Sequence, residues 1–141
     1  MPVVEAMFDS NVLIYALPRH PQSPAKQARA WELIAQTKFG ISFQVLQEVF
    51  VTVTRKIQRP LPSDEALRIL MPFLSFPLVM GTPGLFLTAV RMAERYQIHY
   101  YDAAILAAAK ELEAATLYSE DMGHGQVYDG VRVINPFQGL D

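Results

Sequence analysis

Apolar residues along this chain fall into two kinds of run. Short, largely continuous runs occupy residues 3–8, broken only by Glu5, and residues 40–42, 78–80, 116–119 and 131–134. Their brevity predicts strands, with residues 3–8 and 78–80 read as buried ones. Longer stretches repeat apolar residues every three or four positions. Leu46, Val49, Phe50, Val53 and Ile57 form one stripe over residues 44–57, and Ala28, Trp31 and Ala35 line one face of residues 24–36. Helices are also predicted over 12–17, 64–74, 82–97 and 102–115. Start signals agree: Asp9-Ser10-Asn11 precedes the first helix, Ser63 is placed to cap the fourth, and Thr82-Pro83 opens the fifth. Strands alternating with helices predict an α/β fold, a mostly parallel central sheet covered by helices. No repeat or linker divides the chain, so residues 1–141 read as one domain. Pro18, Pro21 and Pro24, with Arg19 and His20, belong to a short connection.

Between Ile69 and Val90 no residue is charged, a length that would span a membrane. Pro72, Pro77 and Pro83 interrupt it, with Gly81 and Gly84, and each interior proline removes a helix hydrogen bond. A helix end, a strand and a new helix start fit better. Glu5 and Asp9 lie where a signal peptide would be basic, so a cytoplasmic location is expected. The chain has no cysteine, which excludes disulfides, thiolate zinc sites and cysteine nucleophiles. Hydrophobic residues make up 51%, enough for a core. Net charge is −2, so any nucleic-acid role must come from a local site.

Four carboxylates hold the chemical interest. Asp9 ends the first strand, where parallel sheets bind ligands; it is equally placed to cap the following helix. Asp102 shares a helical face with Ile105, Leu106 and Ala109, a face expected to be buried. A buried carboxylate needs a partner such as a cation, or else Asp102 is itself the cap. Glu48 lies opposite its helix's apolar stripe, beside Gln44, Thr52 and Arg55, where solvent alone would explain it. Asp121 follows a strand, and a turn near Gly123 would account for it. Together, hard oxygen donors without cysteine or clustered histidine suit magnesium, with manganese able to substitute.

The motifs add a resemblance. Phe8-Asp9-Ser10-Asn11-Val12-Leu13-Ile14-Tyr15 resembles the opening motif of PIN-domain ribonucleases. Ile41-Ser42-Phe43-Gln44-Val45-Leu46-Gln47-Glu48 resembles the second. Tyr101-Asp102-Ala103-Ala104-Ile105-Leu106-Ala107-Ala108-Ala109 and Leu117-Tyr118-Ser119-Glu120-Asp121-Met122 resemble the third and fourth, and Val131-Arg132-Val133-Ile134-Asn135-Pro136-Phe137 is similar to the last strand. The order is the family's, and the size resembles VapC toxins of toxin–antitoxin pairs. The resemblance implies a three-layer α/β/α fold with Asp9, Glu48, Asp102 and Asp121 as an acidic metal cluster. It also implies a magnesium-dependent endoribonuclease that cuts RNA with metal-activated water, a cognate antitoxin protein, and a homodimer. Ser119 stands where the family often has threonine and keeps the hydroxyl. Tyr100-Tyr101 departs from the usual pair before the third aspartate, at the mouth of the cleft.

Ser10, Asn11 and Ser119 are candidates to orient the carboxylates. Arg55, two turns from Glu48, is the candidate for RNA phosphate; Lys56 and Arg59 fit a solvated helix end. His20, His99 and His124 show no metal spacing. An antitoxin's apolar segment is expected to find a groove around residues 12–17 and 28–35, with Trp31 in it. Two rivals remain: a non-catalytic module of the same fold binding RNA or protein, and a phosphatase-like enzyme with Asp9 as nucleophile. The latter wants an aspartate where Asn11 stands.

Overall fold

A computed structural model describes residues 4–17 and 23–141. The first expected strand's Val3, and Pro18, Arg19, His20 and Pro21, lie outside the described residues.

Six strands form one sheet: β1 (Ala6–Phe8), β2 (Phe39–Ser42), β3 (Leu78–Val79), β4 (Thr116–Tyr118), β5 (Val127–Tyr128) and β6 (Val131–Ile134), in the order β3-β2-β1-β4-β6-β5. All pairs are parallel except β5 with β6. The helices are α1 (Ser10–Tyr15), α2 (Pro24–Gln36), α3 (Phe43–Val51), α4 (Ser63–Leu70), α5 (Pro83–Tyr96) and α6 (Tyr100–Glu111). A π-helical turn, Thr52–Lys56, extends α3, and a 3-10 turn, Met71–Ser75, extends α4. The layers agree with the three-layer fold expected from the sequence. No helix among the described residues is long and apolar enough to cross a membrane.

β1 and β2 are buried at every position, as strands covered on both faces must be. Phe39 stacks between Phe8 and Phe76, with ring centroids 4.3 and 4.4 Å away. In α6 every residue from Ala103 to Ala109 is buried, so small side chains let this helix lie close to the sheet. Gly40 is part of the same fit: a Cβ there would stand 2.8 Å from Leu112 Cδ1.

Several boundaries differ from expectation for physical reasons. Pro62, not Ser63, is the N-cap of α4, and no side chain caps that helix. His99, not Asp102, caps α6, accepting the N–H of Tyr101. On α2 the buried residues are Ala30 and Leu33. The Ala28–Trp31–Ala35 face is exposed, and the Trp31 indole N–H donates to the carbonyl of Ala16 at 2.7 Å.

The β5–β6 hairpin was not expected. Its two turn residues, Asp129 and Gly130, have φ of 47° and 85°, the left-handed pair that a two-residue hairpin requires. The Asp129 carboxylate then accepts from Tyr96, Lys110 and Arg95, tying the hairpin to α5 and α6. Gly130→Ala should cost roughly 1–2 kcal/mol of stability through backbone strain. Asp129→Ala should cost roughly 1–3 kcal/mol by orphaning donors. Urea denaturation read by circular dichroism checks both.

Candidate functional site

Strand order reverses direction at β1, with β2 on one side and β4 on the other, and ligands of open α/β sheets bind outside the strand ends at such a switch point. Asp9 follows β1 there, and its backbone N–H donates to the Tyr118 carbonyl at the end of β4. Asp9 is buried at 4% exposure. One carboxylate oxygen accepts the Ser10 N–H and the other the Ser119 hydroxyl, both at 2.7 Å. Asp9 is therefore the N-cap of α1, and the capping reading holds alongside any other role.

The loop after β4 is fastened to α1 by several bonds. The Asp121 N–H donates to Ser119 Oγ. The Asn11 amide donates to Asp121 Oδ2 at 3.1 Å, and its oxygen accepts the Glu120 N–H. Asp121 thus meets Asn11 rather than closing a turn at Gly123. Glu120 itself accepts from the Tyr15 hydroxyl at 2.7 Å and from Lys26 Nζ at 2.6 Å, with the Lys26 ammonium lying 4.9 Å from the Tyr15 ring centroid. The sequence reading missed this trio. A glutamate and a lysine so far apart in sequence carry no local signal of meeting.

Glu48, half-buried on α3, accepts from the Gln44 amide at 3.0 Å, and the same amide reaches the Tyr101 carbonyl at 3.4 Å. Glu48 shares an open groove of about 420 Å³ with Ser10, Gln47, Val51, Thr52 and Lys56. Lys56, not Arg55, faces this groove. The π turn inserts a residue into the helical repeat, so the position expected for Arg55 falls to its neighbour.

The face of Ile105, Leu106 and Ala109 is buried as expected, but Asp102 at its end is not. It is exposed, and burial of α6 begins at Ala103. The exposed residues Tyr101 and Asp102 belong to the first turn of α6. Among the described residues no three His, Asp or Glu side chains stand close enough to hold a metal ion as they are. Asp9, Ser10, Asn11, Ser119 and Asp121 are brought together; Glu48 borders them; Asp102 is linked only through Tyr101 and Gln44. His124 accepts the Asn135 N–H, a structural use.

Electrostatics mark Asp9. Burial first, then the charges of Glu48 and Asp121, push its carboxyl up to about 6, against the hydrogen bonds from Ser119 and Ser10. Among the described residues no lysine or arginine pairs with it. A buried carboxylate near two others, without a basic partner, offers oxygen donors of the type a hard divalent cation takes, although the three are not gathered closely enough here to form a ligand set.

A sequence model of the PIN domain family matches residues 6–129. No curated protein matches the sequence. Among solved structures, a toxin–antitoxin complex from Klebsiella pneumoniae is 22% identical with a TM-score of 0.69, covering 94% of this chain and 98% of its own. VapC20 from Mycobacterium tuberculosis, a sarcin–ricin loop cleaving toxin, is 18% identical with a TM-score of 0.65, covering 82% of this chain and 89% of its own. FitAcB from Neisseria gonorrhoeae is 21% identical with a TM-score of 0.65, covering 94% and 99%. At these identities the likeness is one of fold.

The two perturbed aspartates should pull stability in opposite directions. Asp9 is raised in the fold, so its contribution is complete below about pH 4 and is lost as pH rises through about 6. The loss approaches about 3 kcal/mol in the metal-free protein. Asp129 is held below the ordinary range, chiefly by the Tyr96 hydroxyl, so its contribution is lost as pH falls below 4. Asp9→Asn should raise the metal-free melting temperature at pH 7 and flatten its dependence between pH 4 and 7. Calorimetry at several pH values checks this.

Proposed function

The chain belongs to the PIN domain family, and from that premise we propose that it is a magnesium-dependent endoribonuclease, the toxin of a toxin–antitoxin pair. The observation that carries this reading is Asp9: buried at the strand switch point, crowded by Glu48 and Asp121, with no basic partner among the described residues. Asp9, Glu48, Asp102 and Asp121 would hold the metal. Bound there, magnesium or manganese supplies a water of lowered pKa and countercharge for the phosphodiester.

The chain's own groups prepare that site. Ser119 and the Ser10 N–H fix both oxygens of Asp9. Asn11 aims Asp121, and Gln44 holds Glu48 while touching the backbone beside Asp102. Lys56 lines the same groove as Glu48 and is placed to meet an RNA phosphate; Arg55 is one residue away on the exposed side. The rival, a non-catalytic module, has one observation in its favour: Asp102 stands exposed and apart from the other acids.

Single-stranded RNA should be cut with magnesium and spared with chelator. Asp9→Asn and Asp102→Asn should abolish cleavage and weaken manganese binding, and Ser119→Ala should cost roughly 10–100-fold. His124→Ala should keep most activity. Loss with His124→Ala and retention with Asp9→Asn would point to histidine chemistry, and no cleavage by the intact chain would favour the rival.

The proposal includes an antitoxin, a homodimer and a cytoplasmic setting. The Klebsiella pneumoniae neighbour is a toxin–antitoxin complex. The expected groove around residues 12–17 is closed, because Val12, Leu13 and Leu17 are buried in the core. An open apolar groove of about 370 Å³ lies instead between α3 and α4, lined by Leu46, Phe50, Leu67, Leu70, Met71 and Leu74. It adjoins the Glu48 groove through Gln47 and Val51. An antitoxin's apolar segment in it would let a basic residue reach the acids. Leu67→Glu and Met71→Glu, both at exposed positions, should therefore prevent capture of the product of the adjacent upstream gene, whereas Trp31→Ala should weaken it less. Co-purification checks this. The reverse order would place the partner on α2.

A further inference from the structure

Beside the carboxylates, a second and different pocket opens where α3, α5 and α6 begin. Its volume is about 190 Å³, and its lining includes Phe86, Tyr100, Gln44, Gln47, Ser42 and Thr82. The hydroxyls of Ser42 and Thr82 accept the N–H groups of Val45 and Leu85, which fixes the starts of α3 and α5. The walls are aromatic. The rings of Phe86 and Tyr100 lie 5.9 Å apart, and Tyr101 stands against Tyr100 at 5.3 Å. Phe86 is 55% exposed and Tyr101 61%, an unusual display of large rings beside a polar cleft. The rest of the lining is able to read a hydrogen-bonding edge. The Gln47 side-chain amide makes no hydrogen bond among the described residues and is free for a ligand.

This pocket adjoins the groove that holds Glu48. Gln47 lines both it and the groove holding Glu48, Ser10 and Lys56. Gln44 lines it and donates to Glu48. A strand whose phosphate passes Glu48 and Lys56 therefore has an aromatic, amide-bearing pocket next along its path. Rings for stacking with amides at the edge are what recognition of an unstacked base uses. The α3–α4 groove shares Gln47 but is otherwise lined by apolar side chains, with no second amide and no hydroxyl.

We propose that this pocket receives one unpaired nucleobase of the RNA, stacked on Phe86 and Tyr100 and read by Gln47. The inference rests on the ribonuclease reading and adds to it a base-binding subsite, which a paired base cannot fill because it offers neither a free face nor its pairing edge.

The test uses the full chain in chelator, so that binding is read apart from cleavage. A single 2-aminopurine is walked through a single-stranded oligoribonucleotide. Its fluorescence should be quenched at one position by the wild-type chain. Phe86→Ala, at an exposed site, should remove that quenching and weaken binding about tenfold. Replacing that nucleotide by an abasic ribose should weaken the wild type about tenfold and leave Phe86→Ala unaffected. Gln47→Ala should change which base is preferred there. Equal affinity of Phe86→Ala and wild type, or an equal abasic penalty for both chains, overturns the pocket. So does a change in oligomeric state with RNA affinity intact, which would make the face a protein interface. If the wild type cuts RNA with magnesium while Phe86→Ala binds and cuts identically, the pocket alone is lost. If the wild type neither binds nor cuts RNA, the ribonuclease reading falls with it.

Discussion

Burying the carboxylate of Asp9 costs several kcal/mol unless its oxygens find donors, and much of the fold around it supplies them. One donor is local, the first N–H of α1. The other, the hydroxyl of Ser119, comes from the far side of the sequence and requires β4 to lie directly beside β1. That pairing is possible because β2 leaves β1 on the opposite side, which creates the switch point. Ser119 is fully buried, and its oxygen also receives the Asp121 N–H. One hydroxyl therefore ties two acidic positions together.

The two halves of the cleft are built differently. On the β1–β4 side, Asn11 and Glu120 lace the loop to α1, while Lys26 reaches from α2 to hold Glu120 beneath the Tyr15 hydroxyl. On the α3–α6 side, one amide, Gln44, joins Glu48 to the backbone near Asp102. The first half fixes position through many short bonds. The second leaves Asp102 exposed.

What was legible in the sequence followed from periodicity and caps. The ends of α2 and β6 fall where the pattern put them, as does the Thr82 cap of α5. The burial of Asp9 and its partner Ser119 lay in strand-end positions. Other features lay beyond periodicity. The exposure of Asp102 depends on where burial of α6 begins, which no helical wheel contains. The shift from Arg55 to Lys56 depends on a single π turn. Trp31 misled because its size dominated a face that Ala30 and Leu33 in fact turn outward. The β5–β6 hairpin was readable: Asp129-Gly130 is a strong two-residue turn signal, obscured by the glycines before it.

The strand axis separates two tasks. At the carboxyl ends of β1 and β4, acids gather against their own repulsion, and the cost appears as the raised Asp9 carboxyl. At the opposite edge, Asp129 collects Tyr96, Lys110 and Arg95, and its carboxyl is lowered. The same residue type thus destabilises one edge and anchors the other. α6 links them, bringing Asp102 in its first turn toward the cleft and Lys110 in its last turn to the anchor. Its alanine-rich body, buried along its length, makes this helix a stiff spacer between the ends. Strain at the acidic end is tolerable because the anchored end does not depend on it.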